Sequence, residues 1–283
     1  MRFILGTAQF GLDYGINNSA GAVSCTEIER ILSVCIAGGI NTLDTAILYG
    51  NSEEKLGRVG IRNWNVITKL PLVPSDVANI YLHWSKELSG SCQRLRIDSF
   101  EAILLHRPQQ LLEPCGASLY AALQRLKADG IMRKIGISVY GPQEALQIAK
   151  QFPIDLVQMP VSILDQRLLT SNFGSFARAN AIEIHARSVY LQGLLLMTRV
   201  PAWFAQWQAV FDEWHDYLHR NRLSAIEACI RFVAAQDLLS GLVIGVDRAS
   251  QLEDLLDLKL RPLRDLPQWP AYDDVLINPS QWK

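Results

Sequence analysis

The sequence predicts a closed (β/α)8 TIM barrel, an α/β fold in a single domain. Three observations predict it. Eight short apolar runs of strand character recur from end to end, and the segments between them carry helical periodicity. No Pro/Ser-rich linker, low-complexity tract or charge block interrupts residues 1–283 to mark a domain boundary. Hydrophobic residues make up 49% of the chain and charged residues 19%, a balance that suits strands buried on both faces. The competing architecture is an open doubly wound sheet. It calls for a GxGxxG turn after an early strand, and the chain has none.

Taken in order, the strands read RFILG (2–6), GINTLD (39–44), NVITKL (65–70), FEAILLH (100–106), KIGISV (134–139), LVQMPV (156–161), IEIHARSV (182–189) and GLVIGV (241–246). Residues 24–37 read as a helix: Ser24 and Glu27 stand at capping-box spacing, and Ile28, Ile31, Leu32 and Cys35 share one face. Residues 118–128 form a second helix that stops at Asp129-Gly130. Residues 224–236 form a third, with Ser224 and Glu227 as another capping box. Residues 258–283 read as a C-terminal tail, and the short loops predict an open mouth.

A net charge of −1 gives no electrostatic case for nucleic acid or an anionic membrane. Five scattered cysteines without a CxxC pair predict reduced thiols in a cytoplasmic setting and no structural zinc or other metal site. The start, MRFILGTAQFG, meets glycine too early for a signal peptide, and no apolar run approaches the roughly 20 residues of a membrane span.

In such a barrel the chemistry sits at the C-terminal ends of the strands and on the loops that follow. Those ends carry Gly6-Thr7, Asp44, Thr68-Lys69, His106, Ser138, Gln158 and Arg187-Ser188, with Tyr49 on the loop after the second strand. Asp44, Tyr49, Lys69 and His106 can therefore converge. A phenol titrates near pH 10, too high for ready exchange at neutrality. A lysine ammonium beside it favours the phenolate, and a carboxylate keeps that lysine charged and in place. The phenol can then act as acid toward a carbonyl oxygen or base toward an alcohol, while an imidazole stabilises the same oxygen.

Four stretches, in order, resemble the aldo-keto reductase superfamily: LDTAILYG (43–50), ITKL (67–70), LRIDSFEAILLHRP (95–108) and LKADGIMRKIGIS (126–138). The resemblance runs from Leu5 to about Leu255. It implies a metal-free oxidoreductase that moves a hydride between a nicotinamide and a carbonyl or alcohol, with NADP as the expected cofactor and NAD as the alternative. By position, Tyr49 is the general acid/base, Asp44 and Lys69 set its pKa, and His106 orients the substrate. Ser138 and Gln158 match residues that hold the nicotinamide amide. Gly6, Thr7 and Asp44 at the strand ends, Ser188, Gln192 and Gly193 after the seventh strand, and Arg248 after the eighth complete the expected cofactor set.

Three departures stand out against that pattern. Val139 replaces an amide-binding Asn, Arg187 stands where an aromatic stacks on nicotinamide, and Asp247 precedes Arg248 in the adenosine-phosphate loop. A guanidinium can stack as an aromatic does, or it can meet an anionic substrate group. Asp247 opposes a 2′-phosphate that Arg248 would attract. The same residues suit two other classes: a barrel that holds nucleotide without turnover, and a lyase or isomerase with Lys69 as a Schiff base. The partner is a small carbonyl or alcohol, aldehyde, ketone or sugar-like; the choice between monomer and homo-oligomer stays open.

Other candidates read as structural. His215 and His219 stand at i, i+4 with no third ligand. His83 falls in a helix of large side chains, and His185 alternates into the barrel along the seventh strand. Trp203, Phe204, Trp207, Phe211 and Trp214 form an apolar stripe for the core or a subunit contact, and Asp13-Tyr14 reads as a plain loop.

Overall fold

The computed structural model describes residues 2–16, 18, 21–267 and 273–282. In chain order its elements are β1 (Arg2–Gly6), α1 (Ala8–Gly11), α2 (Cys25–Ala37), β2 (Thr42–Asp44), α3 (Ser52–Val59), β3 (Asn65–Leu70), α4 (Ile80–Leu95), β4 (Phe100–Leu105), α5 (Gly116–Ala128), β5 (Met132–Ser138), α6 (Pro142–Ala149), β6 (Leu156–Pro160), α7 (Phe173–Ala179), β7 (Glu183–Arg187), α8 (Gln208–Asn221), α9 (Ala225–Ala234), β8 (Gly241–Gly245), α10 (Ala249–Leu256) and α11 (Asp274–Ile277). The eight strands are parallel and close in sequence order, with β1 paired to β8 from Arg2↔Gly241 to Gly6↔Gly245. This is the predicted (β/α)8 barrel, in a single domain.

Alternation along the strands separates two cores. Ile67, Ala102, Leu104 and Leu156 form a small cluster inside the barrel. Their neighbours Val66, Leu70, Ile103, Leu105 and Val157 join the larger core between sheet and helices. The inward series continues upward to Lys69 on β3, to His106 beyond β4, to Gln158 on β6 and to Arg187 on β7. Two-residue periodicity thus delivers the polar residues to the C-terminal mouth. On β7 the same series starts at Glu183 and passes through His185, which is fully buried. Gly241 makes room for that imidazole: a Cβ there would stand 2.6 Å from His185 Cδ2 and 2.7 Å from Ile4 Cδ1.

The helix ends follow local chemistry, with one change. Ser24 Oγ accepts from Glu27 N at 3.3 Å and Ser224 Oγ from Glu227 N at 3.1 Å. Neither glutamate reaches back to complete a capping box. Glu227 binds Arg231 at 2.9 Å, and Glu27 crosses to α10, where its Oε1 accepts from Ala249 N at 2.8 Å. At the end of α5, Gly130 takes φ 77°, and Ile131 N bonds Leu126 O at 3.1 Å, a Schellman stop.

The C-terminal segment packs back on the body. Trp207 Nε1 donates to Asp273 Oδ2 at 2.9 Å, and Arg167 Nη1 binds Asp274 Oδ1 at 2.8 Å. The Trp282 ring lies 4.9 Å from that of Phe204. Residues 268–272 and 283 of the expected tail lie outside the described residues. Of the aromatic stripe, Phe204, Trp207, Phe211 and Trp214 are buried in the core. His215 Nε2 lies 2.9 Å from Met197 O. Among the described residues, no helix is long and apolar enough to cross a membrane.

Candidate active site

Asp44 ends β2 and Lys69 stands one residue before the end of β3, so adjacent strands bring them together. Lys69 Nζ donates to Asp44 Oδ1 at 2.5 Å and to Thr45 O at 2.9 Å. Gln158 Nε2, from across the barrel, donates to Asp44 Oδ2 at 2.7 Å. The carboxylate is therefore held from both sides. Lys69 is 1% exposed and Asp44 3%. Burial pushes the ammonium's pKa down, but the Asp44 carboxylate and the Tyr49 phenol outweigh it and hold Lys69 above its usual range. The ammonium also lies 5.0 Å from the Tyr49 ring centroid.

Tyr49 is fixed by backbone contacts that need glycine. Its carbonyl would lie 1.9 Å from a Cβ placed on Gly11, and a Cβ on Gly50 would meet Gly11 O at 2.2 Å. Gly50 also takes φ 54°. The turn after β2 thus seats directly on the end of α1. Ser52 Oγ, one turn on, sits 3.0 Å from Thr7 O and 3.1 Å from Thr7 Oγ1, and Thr7 Oγ1 in turn reaches Asp44 O at 3.1 Å. The His106 ring meets Tyr49 edge-on, with centroids 6.2 Å apart. Burial, reinforced by the charges of Lys69 and Arg187, pushes His106 down to about 4. It is a neutral imidazole at pH 7.

A cavity of about 420 Å³ opens beside this cluster. Gly6, Thr7, Asp44, Tyr49 and Gln158 line it, with Arg187, Ser188, Gln192 and Gly193 from the segment after β7 and Asp247, Arg248 and Gln251 from the segment after β8. Lys69 is buried against Asp44, and the partly exposed His106 stands beside Tyr49. Ser138 stays off the lining: this residue is 5% exposed and pairs in register with Gln158. Tyr14, read from sequence as plain loop, lines the cavity. Its place after the first strand allows that placement, but the sequence around it reads equally as plain loop.

The departures after β5 and β7 meet in space. The Val139 side chain is fully buried in the outer core, while its carbonyl accepts from Arg187 Nη2 at 3.0 Å. Arg187 Nη1 lies 3.1 Å from Ser188 Oγ, and the guanidinium sits 4.7 Å from the Tyr140 ring centroid. Beyond it Ser188, Leu191 and Gln192 take φ of 57°, 49° and 53°. Such non-glycine backbone costs of the order of 1–3 kcal/mol each and concentrates at ligand-gripping loops. After β8, Gln251 Oε1 accepts from Asp247 N at 2.8 Å and Arg248 N at 3.3 Å, which shapes the loop that opens α10.

The sequence model of the Aldo/keto reductase family matches residues 2–266. An uncharacterized oxidoreductase of Bacillus subtilis is 28% identical over 158 residues, covering 50% of this chain and 52% of the relative, so the chain spans about half that relative's length. A D-threo-aldose 1-dehydrogenase of Pseudomonas sp. is 26% identical over 294 residues, covering 87% of this chain and 88% of that one. Among solved structures, an aldo-keto reductase of Bacillus halodurans in its holo form aligns with a TM-score of 0.73 at 20% identity, covering 93% of this chain and 88% of that chain. At that identity the likeness speaks for the fold.

Proposed function

The chain belongs to the aldo/keto reductase family, and from that premise we propose that it is an NAD(P)-dependent oxidoreductase acting on a small carbonyl or alcohol, with Tyr49 as general acid/base. The observation that carries the reading is the buried Lys69–Asp44 pair held against Tyr49 beside the cavity. The cavity suits a dinucleotide. Its volume lies within the roughly 300–1,000 Å³ usual for ligand sites. Its lining mixes the carboxylates of Asp44 and Asp247 with the guanidiniums of Arg187 and Arg248. Gly6, Thr7, Arg187, Ser188, Gln192, Gly193 and Arg248 are the residues in position to hold it.

When bound, the nicotinamide supplies or accepts the hydride. The protein manages the proton. In reduction Tyr49 Oη gives its proton to the oxygen that develops charge at the substrate carbonyl; in oxidation it takes the proton of the alcohol. Lys69 favours the phenolate form and so strengthens the acid, and Asp44, braced by Gln158, holds the ammonium in place. His106, neutral at pH 7, donates one hydrogen bond to the same oxygen. The part proposed for Gln158 accordingly changes: its amide nitrogen serves Asp44, leaving its oxygen for the cavity. Ser138, beside Gln158 in the register of β5 and β6, keeps its proposed part in holding the nicotinamide amide, and Val139 offers no side-chain group for that contact.

A Schiff base on Lys69 is disfavoured. That role needs a neutral amine open to substrate, and this ammonium is enclosed, doubly hydrogen-bonded and held charged. For substrate, the aldose-oxidising relative and a mouth ringed by Tyr14, Tyr49 and Arg187 favour a hydroxylated, sugar-like molecule. The test follows nicotinamide absorbance in a carbonyl and polyol screen with wild type and Tyr49→Phe. Turnover in the wild type, lost by about 10²–10⁴-fold in the variant, supports the reading. Turnover that survives Tyr49→Phe intact rejects it.

A further inference from the structure

Arg187 ends β7 and lines the cavity together with Tyr49. Its Nη2 donates to Val139 O, one residue past the end of β5, so the side chain lies across the mouth over the end of β6. The guanidinium sits over the Tyr140 ring, 4.7 Å from its centroid. Tyr140 is itself fixed: Arg167 Nη2 donates to its carbonyl at 2.8 Å, and its N–H donates to Glu144 Oε2 at 3.3 Å. Arg167 in turn forks onto Asp165, with Nε and Nη2 each 2.8 Å from a carboxylate oxygen. A planar, permanently charged donor is thus held in place on the wall that Tyr49 shares.

What this guanidinium lacks is a counterion. Its two hydrogen bonds go to neutral oxygens, Val139 O at 3.0 Å and Ser188 Oγ at 3.1 Å, and no described carboxylate lies within ion-pair distance of it. Three of its five N–H groups remain. Elsewhere on the cavity wall the charges stand together: Asp44 holds Lys69, and Asp247 precedes Arg248. Arg107, exposed one residue past His106 and outside any ion pair of the described residues, adds to the excess. The sum is felt at His106: after burial, the charges of Lys69, Arg187 and Arg107 all lower its pKa, and Asp44 opposes them. The rim around His106 is therefore electropositive in a chain whose net charge is −1. A half-buried cation without a partner draws an anion to itself.

We propose that Arg187 is a specificity-determining residue that pairs with an anionic group, carboxylate or phosphate, on the carbonyl substrate, so that the enzyme works on a hydroxylated carbonyl acid or sugar phosphate in preference to the neutral sugar. The inference rests on the oxidoreductase reading above and narrows its substrate class. Arg187 also borders the space for the dinucleotide, but its side chain leans from β7 toward the end of β5, away from β8. It leans, that is, toward His106 at the end of β4 and away from Arg248. The guanidinium fork meets a carboxylate or a phosphate with two parallel hydrogen bonds, which fixes orientation as well as affinity. An anion held there sets the carbonyl at the other end of the substrate against Tyr49 and His106.

The experiment compares kcat/KM for matched carbonyls, galacturonate against galactose and glyceraldehyde 3-phosphate against glyceraldehyde, in wild type, Arg187→Lys and Arg187→Met, with thermal melts to establish folding. Expected in wild type is an about ten- to hundredfold preference for the charged member of at least one pair, the worth of a charged hydrogen bond, carried mainly in KM. The pair that shows it tells carboxylate from phosphate. Arg187→Met should abolish the preference, and Arg187→Lys, which keeps the charge and loses the fork, should retain part of it. If Arg187→Met does not fold, wild type decides alone: the preference should fall as ionic strength rises, and a ratio that ignores salt overturns the inference. Equal turnover of charged and neutral members, or a preference that survives Arg187→Met, overturns it too. Cofactor affinity is measured in parallel. NADH or NADPH binding lost in Arg187→Met with the preference unchanged assigns the guanidinium to the dinucleotide instead. Cofactor bound by wild type without turnover of a charged carbonyl overturns the inference and leaves the oxidoreductase reading standing; no cofactor bound removes both.

Discussion

At the C-terminal mouth of the barrel, Lys69 and Asp44 pair with 1% and 4% of their side chains exposed; at the N-terminal mouth, Lys134 pairs with Glu101 and Glu183 with 24%, 15% and 31% exposed. Each mouth also holds a histidine whose pKa burial pushes down, His106 above and His185 below. The residue types are nearly the same. The difference lies in what the charges face. Below, His185 fills the space left by Gly241, and the ion pairs close over it with Arg2. Above, the pair borders a cavity and a phenol. A buried pair contributes little net stability, since desolvation offsets its attraction. Chemistry is therefore the better account of the upper pair, and sealing the barrel end is the better account of the lower one.

The largest expected effect separates the mouths by activity. Tyr49→Phe should lower turnover by about 10²–10⁴-fold with an unchanged melting temperature, whereas Glu183→Gln should leave turnover alone. A Tyr49→Phe variant as active as wild type would erase the contrast. Next, Lys69→Met should abolish turnover and also destabilise the fold by about 3–5 kcal/mol, because it leaves Asp44 buried with only Gln158. Lys134→Met, in the half-open pairs below, should cost about 1 kcal/mol or less. Denaturant unfolding of both variants measures the gap, and equal losses would show that burial is not what distinguishes the pairs.

Smaller effects appear with pH. His106, lowered from 6.5 to about 4, adds stability that is full above pH 6.5 and is lost as pH falls toward 4, because the unfolded chain takes up the proton first. The acid limb that His106 sets in kcat/KM should likewise lie near 4, and a limb at 6.5 would mean that its surroundings are wetter than described. Glu183 is held down to about 2, first by its hydrogen bond with His185 and then by Lys134 and Arg2, against the opposing effect of its burial. Its stabilisation is full above pH 4.5 and lost as pH falls toward 2. Glu183→Gln should flatten that part of the stability curve and leave the His106 part intact.

The barrel was legible in the sequence because its strands are punctuated. Gly6 and Pro71 stop β1 and β3, and the sequence predicts both strands at their observed bounds. β2 was read from Gly39 but begins at Thr42; Gly39 takes φ 73° and belongs to the turn that ends α2. The four ionisable groups were legible because a strand end is a fixed address in this fold. Side-chain partners were not. Nothing local says that Gln158 reaches across to Asp44, that Arg187 takes the carbonyl of Val139, or that Glu27 leaves its own helix for α10. Those bonds span long stretches of chain, and only the closed barrel brings their ends together.

That closure has a consequence in time. β1 leaves the ribosome before the other seven strands, yet one of its two edges is matched only by β8, from Gly241 to Gly245. At about 5–20 residues per second, the edge stands open for ~10–50 s of synthesis. Through that interval the nascent chain presents a twisted apolar sheet with an unmatched row of amides, the kind of surface that recruits chaperones or other nascent chains. Codon choice upstream of Gly241 thus sets how long each newborn molecule stays adhesive, and a pause there should raise the fraction lost to aggregates without changing a single residue of the finished enzyme.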